Sequence, residues 1–104
     1  MNGIEIIQQE RERQISKEGW TPEHDDQHTA GELAQAASCY ALAAAYDAEG
    51  WDPRRVIDVH SWPWAYEWWK PGGGPIRNLA KAGALIAAEI DRLQRKAALD
   101  GEVR

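Results

Sequence analysis

Side chains recur at helical spacing in three segments of the chain, and each segment predicts a helix. The first segment runs from about Ile4 to Lys17, and Gly19 follows where a helix commonly ends. Its stripe consists of Ile4, Ile7, Arg11 and Ile15. The charged residues on its other faces predict a surface that meets solvent or a partner.

The second helix is predicted to begin near Thr29 and to continue through Tyr46. The sequence TAGE has the form of a capping box, in which Thr29 and Glu32 would satisfy each other's exposed amides. One stripe of this helix is formed by Leu33, Ala37, Tyr40 and Ala44. Because the helix is rich in alanine, a neighbouring helix can approach closely, but bulkier apolar side chains must come from elsewhere in the chain.

The third helix has the clearest pattern, and Pro75 suits its first position. Its stripe alternates three- and four-residue steps through Ile76, Leu79, Gly83, Ile86, Ile90, Leu93 and Ala97. Glycine inside a helix costs about 1 kcal/mol relative to alanine, so Gly83 indicates a close helix crossing or a ligand. Asp91 and Arg95 are spaced to pair on the outer face, and fraying is expected after Leu99.

The connection from Asp47 to Gly74 shows no clear periodicity, so it is expected to be functional or to contain a short helix, with AYEWWK as a helical turn. The chain is therefore predicted to be a single domain over residues 1–104. Its fold class is mainly α, a compact bundle of three main helices with a long tryptophan-rich connection between the second and third.

Composition narrows the class of protein. The formal net charge is −5, with acidic and basic residues intermixed, so no broad basic face for duplex DNA is expected. The single cysteine, Cys39, cannot form an internal disulfide, which favours a small buried residue in a reducing compartment. The stretch ALAAAY is too short to span a membrane, and the charged N-terminus differs from a signal peptide. A soluble cytoplasmic protein is expected.

Four of the six tryptophans lie between Ser61 and Lys70, in SWPWAYEWWK. They are Trp62, Trp64, Trp68 and Trp69. One explanation is that they fill the core against the alanine-rich helix. The other is that one or two line a pocket, where indole stacks well on a nucleobase. Trp68 and Trp69 are adjacent and point in different directions, so at most one is expected to face the core fully, and the other is the expected stacking platform.

The next sequence, KPGGGPIRNLAK, places a glycine-rich turn before a helix, where backbone amides can meet an anion. Arg77 and Lys81 would add two cations on one face, and Lys70 and Arg13 are further candidates to meet phosphate. The spacing differs from that of a P-loop, and Pro75 has no amide hydrogen. The alternative is a flexible linker followed by a solvated helix face.

The polar sequence GWTPEHDDQH brings Trp20, His24 and His28 close together along the chain. His24 and Asp26 are candidates to hydrogen-bond a base or ribose. Histidine and carboxylate at this spacing can also hold a divalent metal in a helix, with Asp25, Asp26, His28 and Glu32 as the alternative ligand set. A capping role is the third explanation, because acidic residues favour the start of a helix.

Three longer stretches carry a resemblance to a known family. ERERQISKEGWTPEHDDQHTAGELAQAASCYA, WPWAYEWWKP and IRNLAKAGALIAAEIDRL resemble a family of small phage and prophage proteins, some labelled Eaa-like, over about Glu10 to Leu93. The resemblance implies a phage origin and little about mechanism. The sequence GGG before Ile76 departs from relatives that are more polar there, which weakens the glycine turn as a shared phosphate site.

Two weaker likenesses point to chemistry. The charged first helix, EGW and the histidine-bearing segment are similar to the start of ryanodine-receptor repeat domains, whose microbial and phage versions have been proposed to bind nucleotide signals. EHDDQHTAGEL and AAEIDRL resemble MazG-type pyrophosphohydrolases, which hold magnesium with acidic residues on two helices. Glu89 and Asp91 are two residues apart and cannot share a helix face, which argues against the second likeness.

We therefore expect a phage protein that captures a nucleotide-like small molecule, such as a host defence signal, without catalysis or a cofactor. The expected ligand-binding residues are Arg13, Trp20, His24, Asp26, His28, Trp62, Trp64, Trp68, Trp69, Lys70, Arg77 and Lys81. The alternatives are a Mg²⁺-dependent nucleotide pyrophosphohydrolase using Asp25, Asp26 and Glu32, or a protein–protein inhibitor with a tryptophan hot spot. Alanine stripes and Gly83 predict a homo-oligomer. The expected location is the host bacterial cytoplasm, and no membrane partner is expected.

Overall fold

The computed structural model describes residues 1–103, which form α-helices and 3₁₀ helices and contain no β-strand. The α-helices are α1 (Gly3–Lys17), α2 (Pro22–Asp25), α3 (Glu32–Ala48), α4 (Val56–Val59) and α5 (Pro75–Val103). Two 3₁₀ helices, Pro53–Arg55 and Tyr66–Trp68, lie in the connection between α3 and α5. The mainly α fold class is confirmed, and so is the helical turn within AYEWWK.

α1 confirms the first predicted helix, but part of the polar surface that was expected to meet solvent or a partner is buried. Asn2 caps its start, because the Asn2 side chain accepts from the amide of Glu5 at 2.9 Å and the Glu5 carboxylate accepts from the amide of Asn2 at 3.1 Å. Ile4 is 78 % exposed, whereas Glu10 and Gln14 are buried. The polar side is buried because Glu10 pairs with Arg77 of α5.

α3 confirms the second predicted helix and its stripe, whose four members are all buried. It begins at Glu32 rather than near Thr29, so the predicted capping box is wrong. Gly31, directly before the helix, has a φ of 82°. This left-handed conformation is not that of an α-helix, so the helix does not extend back to Thr29. The Glu32 carboxylate accepts from the amide of Ala30 at 2.6 Å instead.

α5 packs against both α1 and α3, while α1 and α3 have little contact with each other. The finer prediction of a three-helix bundle is therefore not confirmed. Gly83 does mark the predicted close crossing: a Cβ atom there would lie 2.5 Å from Cδ1 of Ile7 on α1. The core between α3 and α5 is built from Leu33, Ala36, Ala37, Tyr40, Ala82, Leu85 and Ala88, with Trp20, Trp62, Trp64 and Trp69 packed against it.

The predicted stripe of α5 faces away from this core. Its large members keep between 49 % and 68 % of their surface exposed; they are Ile76, Leu79, Ile86, Ile90 and Leu93. The buried side carries alanines with Leu85 and three polar residues, Asn78, Glu89 and Arg92. Arg92 Nε lies 2.6 Å from Glu89 Oε1, so two of these polar side chains satisfy each other. Small residues face α3 because its alanine surface lets the helices approach closely.

Two further expectations concern single residues. Cys39 is buried as predicted, its thiol donates to the carbonyl of Ser61 at 3.3 Å, and burial raises its pKa. Arg95 does not pair with Asp91 as predicted; its guanidinium lies 2.8 Å from Asp26 on the segment after α2. Within residues 1–103, no helix has the length and apolar character needed to cross a membrane.

Candidate functional site

A cavity of about 340 Å³ lies between α2, the first half of α3 and the tryptophan-rich connection. Its lining consists of Trp20, His24, Asp25, His28, Leu33, Tyr40, Trp62, Trp64, Ala65 and Trp68. Most of these residues present aromatic rings, and Asp25 is the acidic member. The cavity therefore combines flat apolar walls with a small polar group, which is the usual composition of a small-molecule site.

The short helix α2 positions the polar group. Thr21 caps its start by accepting from the amide of His24, and Pro22 occupies the first turn. The chain then turns so that the rings of His24 and His28 meet edge to face at 5.2 Å. His28 also lies 5.2 Å from the ring of Trp64, so α2 and the tryptophan-rich connection meet at this histidine.

Asp25 is 1 % exposed and forms an ion pair with α1. Its Oδ2 lies 2.6 Å from Nη2 of Arg11. The other terminal nitrogen of Arg11, Nη1, donates to the carbonyl of Trp20 at 3.1 Å. His24 Nδ1 is 3.7 Å from the other Asp25 oxygen and has no hydrogen-bond partner among residues 1–103. Arg11 thus fixes both a polar and an aromatic part of the lining.

The aromatic wall is a set of rings in mutual contact. Trp62 lies 5.4 Å from Trp64, 4.9 Å from Trp69 and 5.7 Å from Tyr40. The indole of Trp62 donates to the carbonyl of Ala65 at 3.1 Å, and that of Trp69 donates to the carbonyl of Arg54 at 3.0 Å. These bonds fix two rings whose N–H groups would otherwise be left without partners.

Trp68 differs from the other three tryptophans of the segment. It is 52 % exposed and lines the cavity, whereas its neighbour Trp69 packs against the core. The expectation that at most one of the pair faces the core is confirmed. Trp62, Trp64 and Trp69 are partly buried and pack against the core, so Trp68 is the most exposed of the four.

Lys70 and Lys81 each lie over the ring of one lining residue. Lys70 Nζ lies 5.6 Å from the ring centre of Trp68, and Lys81 Nζ lies 5.3 Å from that of Tyr40. Lys81 also donates to the carbonyl of Lys70 at 2.5 Å. Burial, together with the charge of Arg77, lowers the pKa of Lys81. Both cations therefore contact lining residues without forming part of the lining themselves.

Arg13 and Arg77, which were expected to meet phosphate, both pair with the carboxylate of Glu10. Both contact Glu10, which is 3 % exposed: Arg13 Nε at 2.7 Å and Arg77 Nη1 at 2.5 Å. Burial alone would raise the pKa of Glu10, but the hydrogen bonds and charges of the two arginines outweigh it and lower that pKa. A buried carboxylate needs such partners, so both arginines are held at Glu10 of α1, outside the cavity lining.

The alternative metal set is not brought together. Among residues 1–103 no three His, Cys, Asp or Glu side chains are placed to hold a metal ion. Asp25 is paired with Arg11 and Asp26 with Arg95, while Glu32 lies 3.5 Å from His28. Ion pairs with arginines thus engage Asp25 and Asp26, two of the carboxylates that the sequence alone made available for magnesium.

Six of the residues expected to bind ligand line the cavity, and six do not. Trp20, His24, His28, Trp62, Trp64 and Trp68 line it. Arg13, Asp26, Trp69, Lys70, Arg77 and Lys81 lie outside the lining. Sequence reasoning missed Leu33, Tyr40 and Ala65 as lining residues and assigned Asp25 to the metal set alone. Tyr40 could have been found, since a tyrosine within an alanine stripe must extend beyond its neighbours.

Comparisons with protein-family models, with curated proteins and with solved structures give no match for this chain.

Proposed function

We propose that this protein binds a flat, nucleotide-like small molecule in the aromatic cavity and does so without catalysis. The observation that carries the proposal is the lining itself, in which the rings of four tryptophans, a tyrosine and two histidines surround one buried carboxylate. Stacking of a base on an aromatic ring is worth about 1–3 kcal/mol and is tolerant of base identity.

The size of the cavity supports a ligand of this class. About 340 Å³ lies at the lower end of the range for small-molecule sites, roughly 300–1,000 Å³, and suits a base with part of a sugar. Trp68 supplies the open stacking face. The carboxylate of Asp25 and the ring nitrogens of His24 and His28 supply acceptors for the amino and ring N–H groups at the edge of a base.

The phosphate contacts in this proposal come from Lys70 and Lys81. They replace Arg13 and Arg77, which are held by Glu10. Burial has already removed part of the water around the ammonium group of Lys81. Its attraction for an anion is therefore stronger than that of an exposed lysine. A ligand that extends from the aromatic walls towards Tyr40 would bring a phosphate near both lysines.

The biological setting in this proposal rests on the sequence resemblance. A phage-encoded protein of this kind would sequester a host defence signal in the bacterial cytoplasm, and it would act as a homo-oligomer. Sequestration requires binding alone.

A thermal-shift screen tests the proposal. Purified protein is heated with the four common nucleosides and with linear and cyclic nucleotides, each with and without Mg²⁺. We expect one base class to raise the melting temperature, with a larger shift for its phosphorylated form and no requirement for metal. Turnover that depends on Mg²⁺, or the absence of a shift with every base, would contradict the proposal.

A further inference from the structure

α5 carries its large aliphatic side chains on a face that the rest of the chain covers at Gly83, where α1 crosses, and leaves half exposed elsewhere. We define the α5 seam as the seven positions Ile76, Leu79, Gly83, Ile86, Ile90, Leu93 and Ala97. Its five large members each expose between 49 % and 68 % of their surface. The apolar stripe of a surface helix normally faces its own core, so α5 is inverted with respect to the fold around it.

The buried side of α5 strengthens this contrast. Asn78, Glu89 and Arg92 face inward with a row of alanines, and Leu85 is the one large aliphatic residue of α5 that is fully buried within residues 1–103. If the single chain were the final assembly, α5 would bury an ion pair and expose most of its isoleucine and leucine surface. Exposed apolar surface of this extent marks an interaction site.

The spacing of the seam identifies an α-helix as its partner. Alternating steps of three and four residues give a mean repeat of about 3.5, which keeps side chains aligned along a second helix. In sequence the seam runs over about three heptads, the length at which such a repeat becomes a coiled-coil signal, and the part beyond the α1 crossing at Gly83, from residue 86 to residue 97, covers roughly 17 Å of helix. A flat surface would impose no such period.

We infer that the α5 seam binds the same seam of a second copy of this chain in a two-fold symmetric dimer. The chain carries a net charge of −5, yet none of the seven seam positions is charged, so two copies can meet there without opposing like charges. Of the two acidic residues that flank Ile90 along the chain, Glu89 is already neutralised by Arg92 within its own chain. A symmetric contact needs a self-complementary surface, and an a/d seam is its own complement.

α1 determines which part of the seam is open. Ile7 covers Gly83, whereas Ile86, Ile90 and Leu93 form a continuous uncovered stretch beyond the crossing. Ile90 is therefore the residue whose replacement should disturb the dimer most and the monomer least. This inference rests on the self-association in the proposed function and names its interface.

The test compares Ile90→Lys with Val59→Lys. Val59 is 73 % exposed on α4, outside the seam, so it controls for adding a charge at an exposed aliphatic position. Sedimentation equilibrium at about 1 μM to 100 μM should give twice 11.7 kDa for the wild type and for Val59→Lys. Ile90→Lys should weaken association at least about 30-fold, because the lysine enters a symmetric contact twice. Its helical circular dichroism should be unchanged.

Two other outcomes each overturn a stated part of the inference. If the wild type remains at 11.7 kDa at every concentration, the chain does not dimerise and the seam is not a dimer interface. The inference fails in the same way if the seam binds a helix of a different protein. A dimer that survives in Ile90→Lys keeps self-association but removes the seam. Nucleotide binding by monomeric Ile90→Lys would show that the ligand site does not depend on the dimer interface.

Discussion

The guanidinium of Arg11 lies 2.6 Å from the carboxylate of Asp25, and this pair joins α1 to the polar part of the aromatic cavity. Arg11 also holds the carbonyl of Trp20, so one side chain fixes two lining residues. Helix α1 thus acts on the site through Arg11 and through the carbonyl of Gln14, which accepts from the amide of Trp20 at 3.0 Å, although none of its residues lines the cavity.

Arg11→Ala should destabilise the protein by about 3–5 kcal/mol, because it leaves the carboxylate of Asp25 buried without its charge partner. Urea unfolding at neutral pH measures this cost. Arg54→Ala is the matched control, since it removes the arginine of the exposed Arg54–Asp52 pair and should change stability little. Equal effects of the two substitutions would contradict the role given to the buried pair.

The Glu10 carboxylate predicts how stability depends on pH. Its pKa in the folded chain lies below the ordinary value, despite burial, because Arg13 and Arg77 stabilise the charged form. Such a group contributes stability that is fully present above the unfolded-state pKa and lost as pH falls through the folded-state pKa. Glu10→Gln should cost about 1–3 kcal/mol at pH 7, and this difference should shrink as the pH is lowered below about 4.

The measurement for Glu10 is urea unfolding of both proteins across this pH range. Glu67→Gln on the exposed 3₁₀ helix serves as the control and should follow the wild type. A difference between wild type and Glu10→Gln that stays constant with pH would show that the loss comes from packing rather than charge.

Gly83 predicts a pair of opposite effects at the crossing of α1 and α5. Alanine is the better helix former by about 1 kcal/mol, but its Cβ would meet Ile7 and overpacking typically costs about 1–3 kcal/mol. Gly83→Ala should therefore destabilise the wild type and stabilise an Ile7→Ala background. Thermal unfolding of all four proteins measures this double-mutant cycle, and additive effects would contradict the close contact.

The tryptophans should separate by their contacts. Trp62→Ala and Trp69→Ala should cost about 3–5 kcal/mol, since both rings pack against the core and their indoles hydrogen-bond to backbone carbonyls. Trp68→Ala should change stability by at most about 1 kcal/mol, because its ring is half exposed. Chemical unfolding of the three variants is the measurement. Equal losses would return the whole segment to a structural role.

Helical periodicity predicted the long helices well but did not predict which face each would bury. The stripe of α3 is buried, whereas the equally regular stripe of α5 is exposed. Periodicity reports that a face is apolar, and it is silent on whether the same chain or another one covers it. The alanine surface of α3 decided this, by favouring the small residues of α5 over its isoleucines.

The candidate site was predictable where it depended on residue type and not where it depended on ion pairing. Clustered tryptophans and histidines indicated an aromatic pocket, and most of them line one. Arg77 lies 67 positions from Glu10 along the chain, so no local pattern reveals that the two are paired. Whether Asp25 or Asp26 lines the cavity likewise depends on distant partners, because Arg11 pairs with Asp25 and Arg95 pairs with Asp26.

The central claim is that Trp68 offers a stacking face to a nucleobase, and calorimetric titration tests it most directly. The compound giving the largest thermal shift is titrated into wild type, Trp68→Ala and Trp51→Ala, the last being 58 % exposed and outside the cavity. We predict that Trp68→Ala weakens binding by about 1–3 kcal/mol, roughly 5- to 150-fold in Kd, while Trp51→Ala binds like the wild type. Equal affinity of all three proteins, or equal losses in both variants, would contradict the account.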